Sequence, residues 1–127
     1  MIFRDDDDFR LFRRMLLTVA RKFGWRLIAY CLMPTHYHVV LETSVPNLSQ
    51  GMHRLNGRYA RAFNERHERS GALFQGRFHT RVIDSDEYLE RLGAYVPDNP
   101  VRAGLCETRD EWPWSWCSWE VDAAMAA

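Results

Sequence analysis

The chain has 127 residues, 46% of them apolar and 27% charged, with seventeen basic side chains balanced by seventeen acidic ones. Such a chain suits one compact domain over 1–127 and excludes disordered, collagen-like and helical membrane classes, since no apolar run reaches the ~18–20 residues of a membrane span. Cys31, Cys106 and Cys117 are odd in number and lack CxxC spacing, which argues against a disulfide framework or structural zinc; with no signal peptide, the expectation is a cytoplasmic protein.

Along the chain, Phe9, Phe12, Leu16, Val19 and Phe23 recur at helical spacing, predicting a helix from Asp8 to Phe23 that Gly24 ends. The acids Asp5–Asp8 complement the positive end of that helix, a reading preferred to metal binding. Two runs rich in β-branched and aromatic residues, Trp25–Leu32 and His36–Thr43, flank Met33-Pro34-Thr35 and predict an antiparallel hairpin. Asn47 to about Arg69 carries Leu48, Met52, Leu55, Tyr59 and Phe63 at three-to-four spacing, a second helix broken by Ser70-Gly71. Leu73–Ile83 alternates and reads as a third strand. Ser85 opens a third helix that runs towards Tyr95, ahead of Pro97 and Pro100. Trp112, Trp114, Trp116 and Trp119 surround Pro113 and suit a C-terminal segment, 105–127, packed on the body. The order α-β-β-α-β-α is an α+β pattern with an antiparallel sheet.

Neutral net charge hides an uneven distribution. Sixteen of the bases are Arg and only Lys22 is Lys; seven Arg lie between Ser44 and Ile83, against two acids, Glu65 and Glu68. A basic middle is the footprint of a nucleic-acid groove. Arg54, Arg58 and Arg61 gather on one face of the second helix, and Gln75, Arg77 and Arg81 alternate on the expected third strand, so both sets are candidate DNA contacts. Phe74 and Tyr37 are candidate stacking platforms for unpaired bases. In His36-Tyr37-His38 the two imidazoles project from one face of a strand, which begins a divalent-metal site and fills two of its positions. His53, His67 and His79 stand in polar surroundings and read as surface residues.

The segment Met33-Pro34-Thr35-His36-Tyr37-His38-Val39-Val40-Leu41-Glu42 resembles the MPNHxHLLLE strand of the REP-associated tyrosine transposases, in the insertion-sequence-200-like group of HUH single-strand transposases. Ile2-Phe3-Arg4 with Asp5–Asp8, Ala29-Tyr30-Cys31, Tyr59…Phe63-Asn64, Phe74-Gln75-Gly76-Arg77-Phe78, Asn99-Pro100-Val101-Arg102-Ala103-Gly104-Leu105 and Trp112-Pro113-Trp114-Ser115 look like the same family, in its order. The resemblance implies a ferredoxin-like antiparallel sheet with helices packed on it. It also implies a tyrosine that attacks single-stranded, hairpin-forming REP-like DNA to give a 5′-phosphotyrosine and a free 3′-OH. A divalent cation, Mg²⁺ or Mn²⁺, would be held by His36, His38 and an amide four residues after the nucleophile. Alignment on Asn99-Pro100-Val101 makes Tyr95 that nucleophile, ahead of Tyr59 and Tyr88, and Asn99 that amide.

Two departures from the family pattern stand out. The family's opening strand, resembling YHVTxRGNNR, is missing from this sequence, which would leave the histidine strand short of a neighbour. The usual YIHLNP is here Tyr95-Val96-Pro97-Asp98-Asn99-Pro100, so Pro97 is expected to bend the helix and Asp98 competes with Asn99 as a ligand. The alternatives are a catalytically impaired relative that binds hairpin DNA without cleaving it, and a small-molecule metalloenzyme built on the histidine pair. The partner expected is DNA rather than a membrane, and both a monomer and a homodimer suit the family.

Overall fold

The computed structural model describes residues 1–76, 78–83 and 85–118. Its elements are α1 (Asp6–Phe23), β1 (Arg26–Leu32), β2 (Tyr37–Glu42), α2 (Leu48–Arg66), α3 (Asp86–Tyr95), α4 (Asn99–Arg102) and β3 (Ser115–Cys117), with 3-10 turns at Val96–Asp98 and Arg109–Glu111. They fall into two compact units: residues 1–26 with 43–80, and residues 27–42 with 81–127.

The first unit is the α1/α2 pair. Asp5 caps α1, its carboxylate accepting from the Asp8 N–H at 2.9 Å, and Gly24 ends the helix at φ 71°, a left-handed conformation that favours glycine. The buried stripe Phe9, Phe12, Leu16 and Val19 of α1 and the stripe Met52, Leu55, Tyr59 and Phe63 of α2 are those the spacing predicts. Phe3 completes the core, stacked on Phe9 at 4.5 Å and edge-on to Phe12 at 5.4 Å. Burying each such ring contributes about 1.5–3 kcal/mol. The α2 helix ends at Arg66, three residues before the predicted limit, with Glu68 at φ 50° turning the chain away. Asn47 precedes α2 without capping it; its side chain instead accepts from the Trp25 indole and donates to the Phe23 carbonyl, pinning the end of α1.

The second unit is an open three-stranded antiparallel sheet in the order β2-β1-β3, with α3 against it, an α+β arrangement. Leu89 and Leu92 of α3 pack on a buried cluster of Ile28, Ala29, Cys31, Met33, Val40, Val96 and Cys117. The predicted hairpin forms: the Met33 and His36 backbones exchange hydrogen bonds at 2.8 and 3.3 Å across Pro34-Thr35. The third strand differs from expectation. No described residue between Leu73 and Ile83 is in a strand; Gly76 lies at φ 75° and breaks the alternation. The third strand instead comes from the Trp-rich segment, Ala29, Tyr30 and Cys31 standing opposite Cys117, Trp116 and Ser115. There the Trp112 indole donates to the Leu32 carbonyl at 2.9 Å and Trp116 stacks on Tyr30 at 5.9 Å. Trp119 lies outside the described residues. β2, which carries His38, is thereby an edge strand of the sheet as described.

Candidate nucleophile and metal-ligand site

The hairpin turn sets the geometry of the histidine pair. His36 closes the turn and His38 follows on β2, so both rings leave the same face, 5.0 Å apart at an interplanar angle of 85°. Thr35 Oγ1 lies 3.1 Å from His36 Nδ1, which leaves Nε2 of that ring available as a ligand atom. His38 is exposed on β2, yet partial desolvation by its surroundings, then the neighbouring His36 and the positive charge of Arg102, lower its pKa from the usual histidine value, in the direction that favours the neutral ring a metal ligand needs. Two imidazoles bound to one ion at ~2.1 Å have ring centres about 5 Å apart, so the separation of the pair is compatible with a shared cation.

A second group of side chains forms where α3 ends. Tyr95 is the last residue of α3, and Pro97 tightens the next turn to a 3-10 helix before α4 begins at Asn99. Both flanks stay right-handed, so the expected bend is a change of helical pitch rather than a break. Val96 and Pro97 are buried, Val96 in the same apolar cluster as Met33 and Val40 of the hairpin, and this anchors the segment while Tyr95 stays 55% exposed. Over the Tyr95 ring lies Arg102, its guanidinium carbon 3.4 Å from the ring centre. Arg102 also donates to the Tyr95 carbonyl at 2.8 Å and to Asn99 Oδ1. Asn99 Nδ2 is buried with no partner among the described residues, an arrangement that costs about 1–3 kcal/mol. Asp98 is held by Arg109, whose Nε and Nη2 each lie 2.8 Å from Asp98 Oδ1, and this disfavours it as a substitute ligand.

His36 and His38 thus form one group, and Tyr95, Asn99 and Arg102 another; Val96, next to Tyr95, shares a buried apolar cluster with Met33 and Val40 of the hairpin. The orphaned Nδ2 is a hydrogen-bond donor that calls for an acceptor, whereas the atom of Asn99 able to ligate a cation is Oδ1, which Arg102 engages. Arg102 is the residue that sequence reasoning missed as a separate actor. Its signal was spacing: three residues after Asn99 and seven after Tyr95 is the same helical face.

The competing tyrosines have other functions. Tyr59 is fully buried and its hydroxyl donates to the Ile2 carbonyl at 2.5 Å; burial, with Asp8 and Asp5 nearby, pushes its pKa far up and removes it as a nucleophile. Tyr88 sits in the first turn of α3, where Ser85 Oγ accepts from its N–H and Arg81 donates to its hydroxyl at 3.3 Å. Phe74 is half-buried and packs against Tyr59 at 6.3 Å, so it belongs to the α1/α2 core rather than to a base-stacking platform.

Of the candidate DNA contacts, Arg58 and Arg61 are exposed and Arg54 half-buried, and among the described residues none of the three has an ion-pair partner. Gln75 and Arg81 are both exposed, yet no strand aligns them on one face, and Arg77 lies outside the described residues. Arg66 and Arg69 of the basic middle are structural. Arg69 donates to Asn64 Oδ1 and the Ala72 carbonyl, both at 2.9 Å. Arg66 clasps Asp5 and Asp8, and His67, expected on the surface, is partly buried with Nε2 at 2.8 Å from Asp8 Oδ2. Asp5, Asp8 and His67 bring ligand-type atoms within 4.8 Å of one another, but Arg66 already neutralises both carboxylates, which favours an ion-pair clasp over a metal.

The paired histidines lie on the hairpin of an antiparallel sheet, Tyr95 ends α3, and Asn99 opens α4. The chain belongs to the IS200-like transposase family, whose model, described as "Transposase IS200 like", matches residues 2–99. A Haemophilus influenzae protein with the provisional name REP-associated tyrosine transposase is 24% identical over 115 residues. That alignment covers 82% of this chain and 65% of the relative, so the chain spans just under two thirds of the relative's length. No solved structure matches the chain. Among the described residues no helix is long and apolar enough to cross a membrane.

Proposed function

We propose that the protein is a single-tyrosine transposase that cuts and rejoins single-stranded, hairpin-forming DNA of the REP type. The Tyr95 phenolic oxygen attacks the scissile phosphorus, the new O–P bond forms as the bond to the 3′ oxygen breaks, and the 5′ phosphate remains on tyrosine. The phenolic proton passes to solvent and the leaving 3′ oxygen takes one up. His36, His38 and Asn99 would hold a divalent cation, Mg²⁺ or Mn²⁺, which supplies charge stabilisation at the phosphate. Arg54, Arg58 and Arg61 guide the strand by phosphate contact, with Gln75, Arg77 and Arg81 as further contacts. The observation that most supports this reading is the pair of imidazoles 5.0 Å apart, one of them within the electrostatic reach of the residue that holds Tyr95 and Asn99.

A second reading, DNA binding without cleavage, is favoured by one observation: Arg102 covers the Tyr95 ring and engages the Asn99 oxygen. The test separates the two. Labelled hairpin oligonucleotides with single-stranded flanks, incubated with the protein and Mn²⁺, should yield a denaturation-resistant protein–DNA adduct that chelator prevents. Binding of the same oligonucleotides with no adduct under any divalent metal supports the second reading and overturns the first.

A further inference from the structure

One side chain touches both of the residues on which the chemistry rests. Arg102 is exposed at the end of α4, donates to the Tyr95 carbonyl at 2.8 Å and to Asn99 Oδ1, and lies with its guanidinium carbon 3.4 Å from the Tyr95 ring centre. The Asn99 amide is thereby fixed with its oxygen on the guanidinium and its nitrogen buried without a partner among the described residues. That oxygen is the atom a divalent cation would need. A guanidinium and a dication sharing one small amide oxygen repel each other, so the two cations compete for it.

We propose that Arg102 is a cationic latch, a positioning residue that holds Tyr95 and Asn99 together in the ion-free state and is displaced when a divalent cation takes the Asn99 oxygen. This rests on the assignment of Asn99 as ligand and Tyr95 as nucleophile. The latch makes metal loading and release of the nucleophile one linked event: whatever draws the guanidinium off Asn99 raises metal affinity, and the ion by the same coupling loosens the cover on the Tyr95 ring.

The direct test is calorimetric titration of the DNA-free protein with Mn²⁺, comparing the wild type with Arg102→Met and Arg102→Gln. Both variants should bind Mn²⁺ more tightly, by about fivefold or more, the lower end of common coupling strengths. In adduct assays they should reach half-maximal rate at lower Mn²⁺ yet show a lower maximal rate, because the uncovered ring is less well positioned. A merely structural Arg102 would not split the two parameters in this way. In the unaltered chain, Mg²⁺ should shift the NMR signal of the Arg102 side-chain N–H, a readout independent of whether the variants fold. Equal or weaker Mn²⁺ binding by folded variants, or no Arg102 shift on Mg²⁺ saturation, overturns the latch while leaving the metal site standing. A wild-type chain that binds no Mn²⁺ at all overturns the metal assignment, and the latch with it.

Discussion

Tyr59 and Tyr95 show how differently the two units treat the same side chain. In the α1/α2 unit, Tyr59 is sealed among Phe3, Phe12 and Phe63, its hydroxyl used on a backbone carbonyl. In the sheet unit, Tyr95 is more than half exposed, with a guanidinium over its face. The polar groups repeat the contrast. Asp8, fully buried, accepts from the Arg4 N–H and is paired with Arg66 and His67, whereas buried Asn99 Nδ2 has no partner among the described residues. Complete satisfaction of buried polar groups is the mark of a region built for stability. Orphaned or lightly held ones concentrate where a ligand or a reaction is to be accommodated.

The largest expected effect tests that division at its sharpest point. Tyr95→Phe should lower adduct formation by about 10³-fold or more while leaving the melting temperature unchanged, since the hydroxyl is the proposed nucleophile and no packing is lost. Tyr59→Phe should do the reverse, destabilising by about 1–2 kcal/mol in denaturant titrations because the Ile2 carbonyl loses its donor, with adduct formation intact.

Next in size, Asp8→Ala removes the acceptor shared by Arg66, His67 and the Arg4 N–H, and should cost about 3 kcal/mol by urea unfolding, without changing Mn²⁺ affinity. If Asp8→Ala instead abolishes Mn²⁺ binding, the metal belongs to the α1/α2 unit and the comparison fails. Gly51→Ala should cost about 1–3 kcal/mol, since a methyl group there overlaps the rigid Trp25 indole.

The smallest effect is in acid. The hydrogen bond from Arg66, then that from the Asp8 N–H, lowers the Asp5 pKa from 3.8 to about 2. The folded state therefore holds on to fewer protons than the unfolded chain in this range, and the contribution of Asp5 is full above about pH 4 and lost as the pH falls towards 2. Asp5 is nearly half exposed, so salt screens this contribution, and Asp5→Asn should flatten the acid limb of a stability–pH profile only modestly.

Much of the architecture was legible because local rules agree with the fold at α1, at the Met33–His36 turn and at the Ser85 cap of α3. The third strand was not. Alternation in Leu73–Ile83 satisfies the period of a strand, but period alone names no partner, and Gly76 with its positive φ interrupts the run. β3 was hidden because a three-residue strand inside a Trp-rich segment has too few residues to show a period. Of the candidate site, the histidine pair could be read from the two-residue repeat of a strand, and Tyr95 and Asn99 through the family resemblance. Arg66 and His67 were legible only as parts of a basic stretch, because their partners Asp5 and Asp8 lie about sixty residues away in the chain. Ion pairs of such separation leave no mark in local sequence.

In the proposed mechanism the histidine pair and the Tyr95–Asn99 segment serve one divalent ion. Ring-labelled tyrosine in the DNA-free protein, titrated with substoichiometric Mn²⁺, tests it most directly. The Tyr95 resonances, assigned by their loss in Tyr95→Phe, should broaden beyond detection, and His36→Ala or His38→Ala should prevent this. Tyr95 signals that stay sharp while Mn²⁺ binds at the two histidines would contradict the claim.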